Sequence, residues 1–437
     1  MKKIFLILLL FISLLPQTGH AKVYIDIFSP SSRRFPIVVP NFKNIGSEQD
    51  KDNIASKTPK VIADDLEFSG IFKILDSSAL GDYALDGVTS DKIKWDSLSI
   101  IGAEAIVTGS FRISAGTITF ELRVFDAVQG KFITGKKYEG RAEDYRLIAH
   151  KFANEVFNTL TGEKGIFDSK IVYVTRSATN DKDICMADYD GNSSKQITNY
   201  HSLTLSPAWS RDGKQLAFTS YKDGNPNMYV MDIGRGNARI ISKKKGVNIT
   251  PDWSPDGEKI ALTLNLNNGN SEIYILTEKT GGLERVTNDM ATDVSPSWSP
   301  DGKMLAFVSD RAGGPQIYTV ELTTGKVKRI SYNDSNYNTS PAWSPRGDKI
   351  AFAGLVEGQY NIFLVSPDGQ SHQQLTGREG NNEDPAWSSD GRFLAFCSSR
   401  TGQKEIYIMR ADGTGQKRIT FGKAEKSDPA WSPSGTN

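Results

Sequence analysis

The sequence predicts an α/β N-terminal domain followed by an all-β six-bladed β-propeller whose last blade is closed by N- and C-terminal strands of the repeat region. Three observations predict it. A Pro-x-Trp-Ser phrase followed by a turn recurs with its tryptophan at Trp209, Trp253, Trp298, Trp343, Trp387 and Trp431. The gaps of 44, 45, 45, 44 and 44 residues are regular enough to mark a repeat architecture. The last copy, "PAWSPSG" from Pro429, stops after its turn, whereas a partial unit lacking only its first strand precedes Pro207. Finally, residues before about 165 carry no repeat and mix helical with alternating patterns.

Each repeat reads as four antiparallel strands. In the third, "PSWS" is a short strand and "SPDG" a turn; "KMLAFVSD", "IYTVEL" and "VKRIS" are the other strands. Asp-Gly and Thr-Gly between apolar runs are hairpin signals, and Ile, Val, Phe and Tyr suit a pleated, half-buried surface. Four such strands are one propeller blade. The partial unit supplies "KIVYVT", "DICMADYDG" and "KQITNY", which correspond to strands two, three and four. The terminal "PAWSPSG" is the missing first strand, so its pairing with the partial unit is expected to close the ring and leave no open edge. Each tryptophan is expected to pack between blades, a structural role rather than a chemical one.

The front region is expected to hold strands in "KVYIDIF", "FPIVVPNF", "AEAIVTGSFRIS", "TITFELRVFD" and "QGKFITGKKYEG". A helix is expected over residues 54–72, broken by or starting after Pro59. In a second helix, Ile148, Phe152, Val156 and Leu160 share one face and Gly162 ends it.

Residues 1–21 have the layout of a secretory signal peptide: two lysines, an apolar run from Ile4 to Leu15, and Gly19-His20-Ala21 at the junction. Twelve residues at about 1.5 Å each fall well short of a hydrocarbon core of about 30 Å. Cleavage after Ala21 and export without a membrane anchor are expected. The expected domains are therefore 1–21, the signal peptide; 22–165, the α/β domain; and 166–437, the propeller.

Lys and Arg total 52 against 51 for Asp and Glu, a balance that gives no electrostatic footprint for nucleic acid. Cys185 and Cys397 sit in strand-like runs and read as small buried hydrophobes. After residue 21 only His150, His201 and His372 remain, and no HExxH, CxxC, Walker or GxSxG motif occurs. The SPDG turns lack calcium-loop spacing; their aspartates read as turn residues. No cofactor, metal or catalytic residue is expected. A propeller enzyme of lyase or peptidase type, or a glycan-binding propeller, is the alternative. A peptidase would require a hydrolase domain after residue 437, and a lyase would require channel histidines.

The chain resembles the TolB family, periplasmic proteins of the Gram-negative Tol–Pal envelope system. The matching strings are "VVPNF" (Val38–Phe42), "VIADDLEFSGIFKIL" (Val61–Leu75), "GAEAIVTGSF" (Gly102–Phe111), "ITFELRVFDAVQGK" (Ile118–Lys131) and "IAHKFANEVFNTLTGEKGIF" (Ile148–Phe167). The resemblance implies a monomeric, non-enzymatic periplasmic adaptor. Its implied partners are the lipoprotein Pal at the propeller and TolA, with other Tol proteins, at the front domain. Its implied role is outer-membrane integrity and constriction at division, with only indirect ties to peptidoglycan and the outer membrane.

The connections that enter each Pro-x-Trp strand vary while the strands stay constant, as suits binding loops on a rigid frame. Carried over by position, the resemblance implies Pal contacts at His201, Val247, Asn248, Thr250, Asp293 and Val294. It implies a TolA segment at Lys22, Val23, Tyr24, Ile25, Asp26, Ile27, Phe28 and Ser29, which is expected to add a strand to a partner's sheet and to respond to Pal.

Overall fold

The computed structural model describes residues 33–80, 89–266 and 269–435. The signal-peptide expectation and the expected TolA segment Lys22–Ser29 lie outside the described residues.

The front region forms one sheet with helices on it. Strand β1 (Phe35–Val38), β2 (Lys43–Asn44), helix α1 (Ile54–Phe68), β3 (Phe72–Leu75), helix α2 (Trp95–Ile100), β4 (Ala105–Ser114), β5 (Thr117–Asp126), β6 (Lys131–Arg141) and helix α3 (Tyr145–Thr161) follow in chain order. The sheet order is β3-β1-β4-β5-β6. Strand β1 runs parallel to β3 and β4, whereas β4, β5 and β6 form an antiparallel meander. The alternation read in "TITFELRVFD" is real: Ile118, Phe120, Leu122 and Val124 are all fully buried. They face Ile148, Phe152, Val156 and Leu160 of α3 within one core, and Gly162 ends α3 at φ 76°.

The first helix departs from expectation at Pro59 and at its C-terminal end. It begins at Ile54 and runs through Pro59 without breaking. A proline inside a helix cannot donate to the carbonyl four residues back. Here that carbonyl, on Ala55, accepts the Phe42 backbone N–H at 2.8 Å, so nothing is left unpaired. Asp50 supplies the start, its carboxylate accepting the N–H groups of Ile54 and Ala55. The helix stops at Phe68, not residue 72, because Gly70 takes φ 77° and Phe72 begins β3 beside Phe35. Helix α2 and strand β2 have no counterpart in the expected elements.

The rest is six four-stranded sheets. Blades I to V begin at the inner strands Thr204–Trp209, Asn248–Trp253, Asp293–Trp298, Asn338–Trp343 and Asn382–Trp387. Blade VI is split: Lys426–Trp431 pairs antiparallel with Lys170–Arg176, with Trp431 opposite Ile171 and Lys426 opposite Thr175. The ring therefore closes through a hydrogen-bonded ladder.

The tryptophans pack at the blade seams. Trp253 lies among Ala217, Met228 and Val230 of blade I, and Trp343 among Ala306, Val308 and Ile317 of blade III. Trp209 does the same for blades VI and I. Three of the indoles also donate backwards to the preceding blade: Trp209 to the Ala430 carbonyl, Trp298 to that of Asp252 and Trp387 to that of Ala342. Register between blades is thus held by a directional bond as well as by burial.

Candidate functional site: the propeller mouth and the domain seam

Every inner strand contains a bulge just before its proline. The residue at that point adopts a left-handed backbone in all six blades: Ser206, Thr250, Ser295, Ser340, Asp384 and Asp428, with φ between 49° and 56°. Non-glycine residues rarely hold this conformation, and six copies on one axis are a built feature. Together with their prolines these residues ring a cavity of about 170 Å³ at one mouth of the channel.

The ring has an internal order. Thr250 shares a hydroxyl hydrogen bond with Thr263 at 2.8 Å, and Ser340 donates to Asp384 at 2.9 Å. Burial, with the neighbouring Asp428 carboxylate, pushes Asp384 up to about 7. Lower on the wall, Asp252 stands where four other blades carry alanine and blade III carries Ser297. It accepts the Trp298 N–H at 2.7 Å, and burial pushes it up to about 7.

The six mouth residues inferred from position fall into two groups. His201 is exposed, and Val247, Thr250 and Val294 are half-buried. Asn248 and Asp293 are fully buried. The Asn248 amide donates to the Lys244 and Gly246 carbonyls and accepts from the Lys244 N–H, which organises the Lys243–Lys245 loop from beneath. Asp293 takes Arg311 on both oxygens, at 2.8 and 3.0 Å. These two side chains shape loops and present nothing to solvent.

The loops expose a different set. Leu203, Met290, Tyr332, Tyr337 and Phe421 are exposed, Met290 completely and Phe421 at 70%. All five lie on connections into inner strands. The readable signal was apolar residue type inside otherwise polar loops, as in "NDMATDVS" and "NDSNYNTS".

The front region packs on the opposite face, where the turns after the tryptophans lie. Phe68 of α1 stacks on Phe393 at 4.7 Å between centroids. The Arg392 guanidinium sits 4.3 Å over Phe157 and donates to the Lys164 carbonyl at 2.8 Å. Beside them is a buried polar seam: His150 Nδ1 is 2.7 Å from Asp65 Oδ2, and the Tyr189 hydroxyl donates to Asp65 Oδ1 at 2.6 Å. His150, Asp188 and Asp190 come close to one another, but Lys170 pairs with Asp188 at 2.6 Å and Arg146 pairs with Asp190. The carboxylates already have cations, so the seam is an ion-paired joint and not a set of metal ligands.

Comparison with known proteins fits this architecture. A family model described as the TolB amino-terminal domain matches residues 23–133, and one described as the TolB beta propeller domain matches 157–340 and 333–437. The chain belongs to the TolB family. A Tol-Pal system protein TolB of Desulfosudis oleivorans is 37% identical over 245 residues, 56% of each chain. One of Syntrophus aciditrophicus is 38% identical over 226 residues, 51% of this chain and 50% of that one. The chain thus spans about half the length of the curated relatives it matches. The crystal structure of TolB from Acinetobacter baumannii superposes with a TM-score of 0.79 at 26% identity, covering 92% of this chain and 97% of that one. Among the described residues no helix is long and apolar enough to cross a membrane.

Proposed function

We propose that this TolB-family chain is a periplasmic, non-enzymatic adaptor that takes Pal at the propeller mouth and TolA through its N-terminal segment, and so supports outer-membrane integrity and constriction at division. The observation that carries the reading is the gathering of Leu203, Met290, Tyr332, Tyr337 and Phe421 on the mouth connections. Exposed apolar side chains collected on one rim are what a protein partner buries. His201, Val247, Thr250 and Val294 are the contact candidates on blades I to III, with Asn248 and Asp293 holding their loops in shape. The described part of the front domain packs on the other face and leaves the mouth free for Pal.

Titration calorimetry with lipid-free Pal tests the first half. One Pal per chain is expected, with affinity lost when Met290 and Phe421 are both changed to Ser. The absence of Pal binding, with no recovery of Pal from envelope extract, would sink the assignment. Removal of residues 22–29 is expected to abolish TolA capture while Pal still binds. Turnover of uronates or peptides by the purified chain would favour an enzyme instead.

A further inference from the structure

We propose that His150 is a proton-operated latch between the front domain and the split blade: with both ring nitrogens protonated it bridges Asp65 of α1 and Asp190 of blade VI, and on losing one proton it lets the seam part. The groups around it come from three elements. Asp65 belongs to α1, Arg146 to α3, and Tyr189, Asp190, Asp188 and Lys170 to blade VI. His150 is 2% exposed and Asp65 is 1% exposed. Nδ1 is committed to Asp65. Nε2 is buried, has no hydrogen-bond partner, and has Asp190 Oδ2 as its neighbouring anion at 3.9 Å.

A charge inventory favours the doubly protonated ring. The seam holds three carboxylates, Asp65, Asp188 and Asp190, against two fixed cations, Arg146 and Lys170. A cationic His150 balances the set. A neutral one leaves a buried carboxylate uncompensated and turns Nε2 into an orphan acceptor with only an anion in front of it.

The local fields agree. Burial alone pushes the imidazole down, but the Asp65 carboxylate, its hydrogen bond and Asp190 more than offset this, leaving His150 above its ordinary value. A raised value in the folded state gives stability that is complete below about pH 6.5 and is lost as pH rises through the folded value. Burial pushes Asp65 up while His150 pulls it back, and the net rise acts in the same direction. Asp190 resists burial because His150 and Arg146 hold it low, so its own proton enters only in acid. Above neutrality the joint therefore weakens, while the Phe68–Phe393 stack, the Arg392 contacts with Phe157 and Lys164, and the Arg146–Asp190 pair still hold the two parts together.

Amide hydrogen exchange on the full chain between about pH 5.5 and about pH 8.5, corrected for the intrinsic rate, tests the latch. Protection over residues 145–152 and 188–192 is expected to fall relative to that of blades III and IV. His150→Gln is expected to remove the dependence. Seam protection that is flat with pH in the wild type, or equally pH-dependent in the variant, would overturn the proposal. Should the variant not fold, the wild-type His150 imidazole can be titrated by NMR, and a ring still neutral at about pH 6 overturns it equally. Zinc that restores seam protection at about pH 8.5 would assign Nε2 to a metal and also overturn the latch.

Discussion

The backbone N–H of Lys170 donates to the hydroxyl of Ser432 at 2.8 Å, joining residues 262 positions apart. One residue earlier, Trp431 donates its indole N–H to Ser169 at 2.7 Å and stacks on Tyr189 with centroids 6.4 Å apart. The closing strand is thus tied to the start of the propeller by backbone, side chain and ring contact together.

Trp431→Ala should accordingly cost about 3–5 kcal/mol, because it opens a cavity and removes the indole donor to Ser169. Urea unfolding monitored by circular dichroism measures the loss. An equal loss at Trp431 and at the less enclosed Trp209 would argue that closure has no special weight.

Glu405 gathers Arg418 at 2.9 Å and Lys426 at 3.2 Å while fully buried. Glu405→Ala would strand the Lys426 ammonium inside the protein. Breaking a buried pair from one side typically costs about 3–5 kcal/mol. Because Lys426 opens the closing strand, hydrogen exchange should rise first in Lys426–Trp431 and then in its partner Lys170–Arg176.

Asp252 offers a pH test with a defined sign. Burial raises it to about 7, above its unfolded value of about 3.8, so its ionisation opposes folding. The wild type should lose stability as pH rises from about 4 to about 7, and Asp252→Asn should lose less. Since Asp252 is only half-buried, the gain of the variant above neutrality should be on the order of 1–2 kcal/mol, less than the full shift implies. Melting curves across that range decide it; identical profiles would remove the carboxylate from the account.

At the mouth, stability and binding should separate. His201→Ala should weaken Pal about tenfold with an unchanged melting temperature, as an exposed contact does. Asp293→Ala should lower both, because Arg311 loses its two-oxygen anchor and the loop beneath Met290 loosens. Calorimetry paired with melting curves separates the two effects.

The propeller was legible because its signal repeats. A tryptophan every 44 or 45 residues, followed by an Asp-Gly, Arg-Gly or Ser-Gly turn, reports blade number and closure without any tertiary knowledge. The front region carries no such redundancy. Pro59 looked like a boundary because sequence alone does not reveal that Phe42 satisfies the Ala55 carbonyl. Phe72 looked helical because the turn at Gly70 is followed by apolar residues that suit either element. At the mouth, position along the loop did not distinguish a side chain that faces solvent from one that braces the loop beneath. Asn248 and Asp293 occupy the first position of their inner strands, which is buried in every blade. The seam was the least visible part, since Asp65 and His150 are 85 positions apart and meet only once α1 and α3 share a face.

The six left-handed residues ahead of the prolines separate two kinds of inheritance. Their backbones are set by the bulge and the proline that follows, so serine, threonine and aspartate all stand in the same pose. A lineage can rewrite the lettering around the opening, one blade at a time, without renegotiating how the disc assembles.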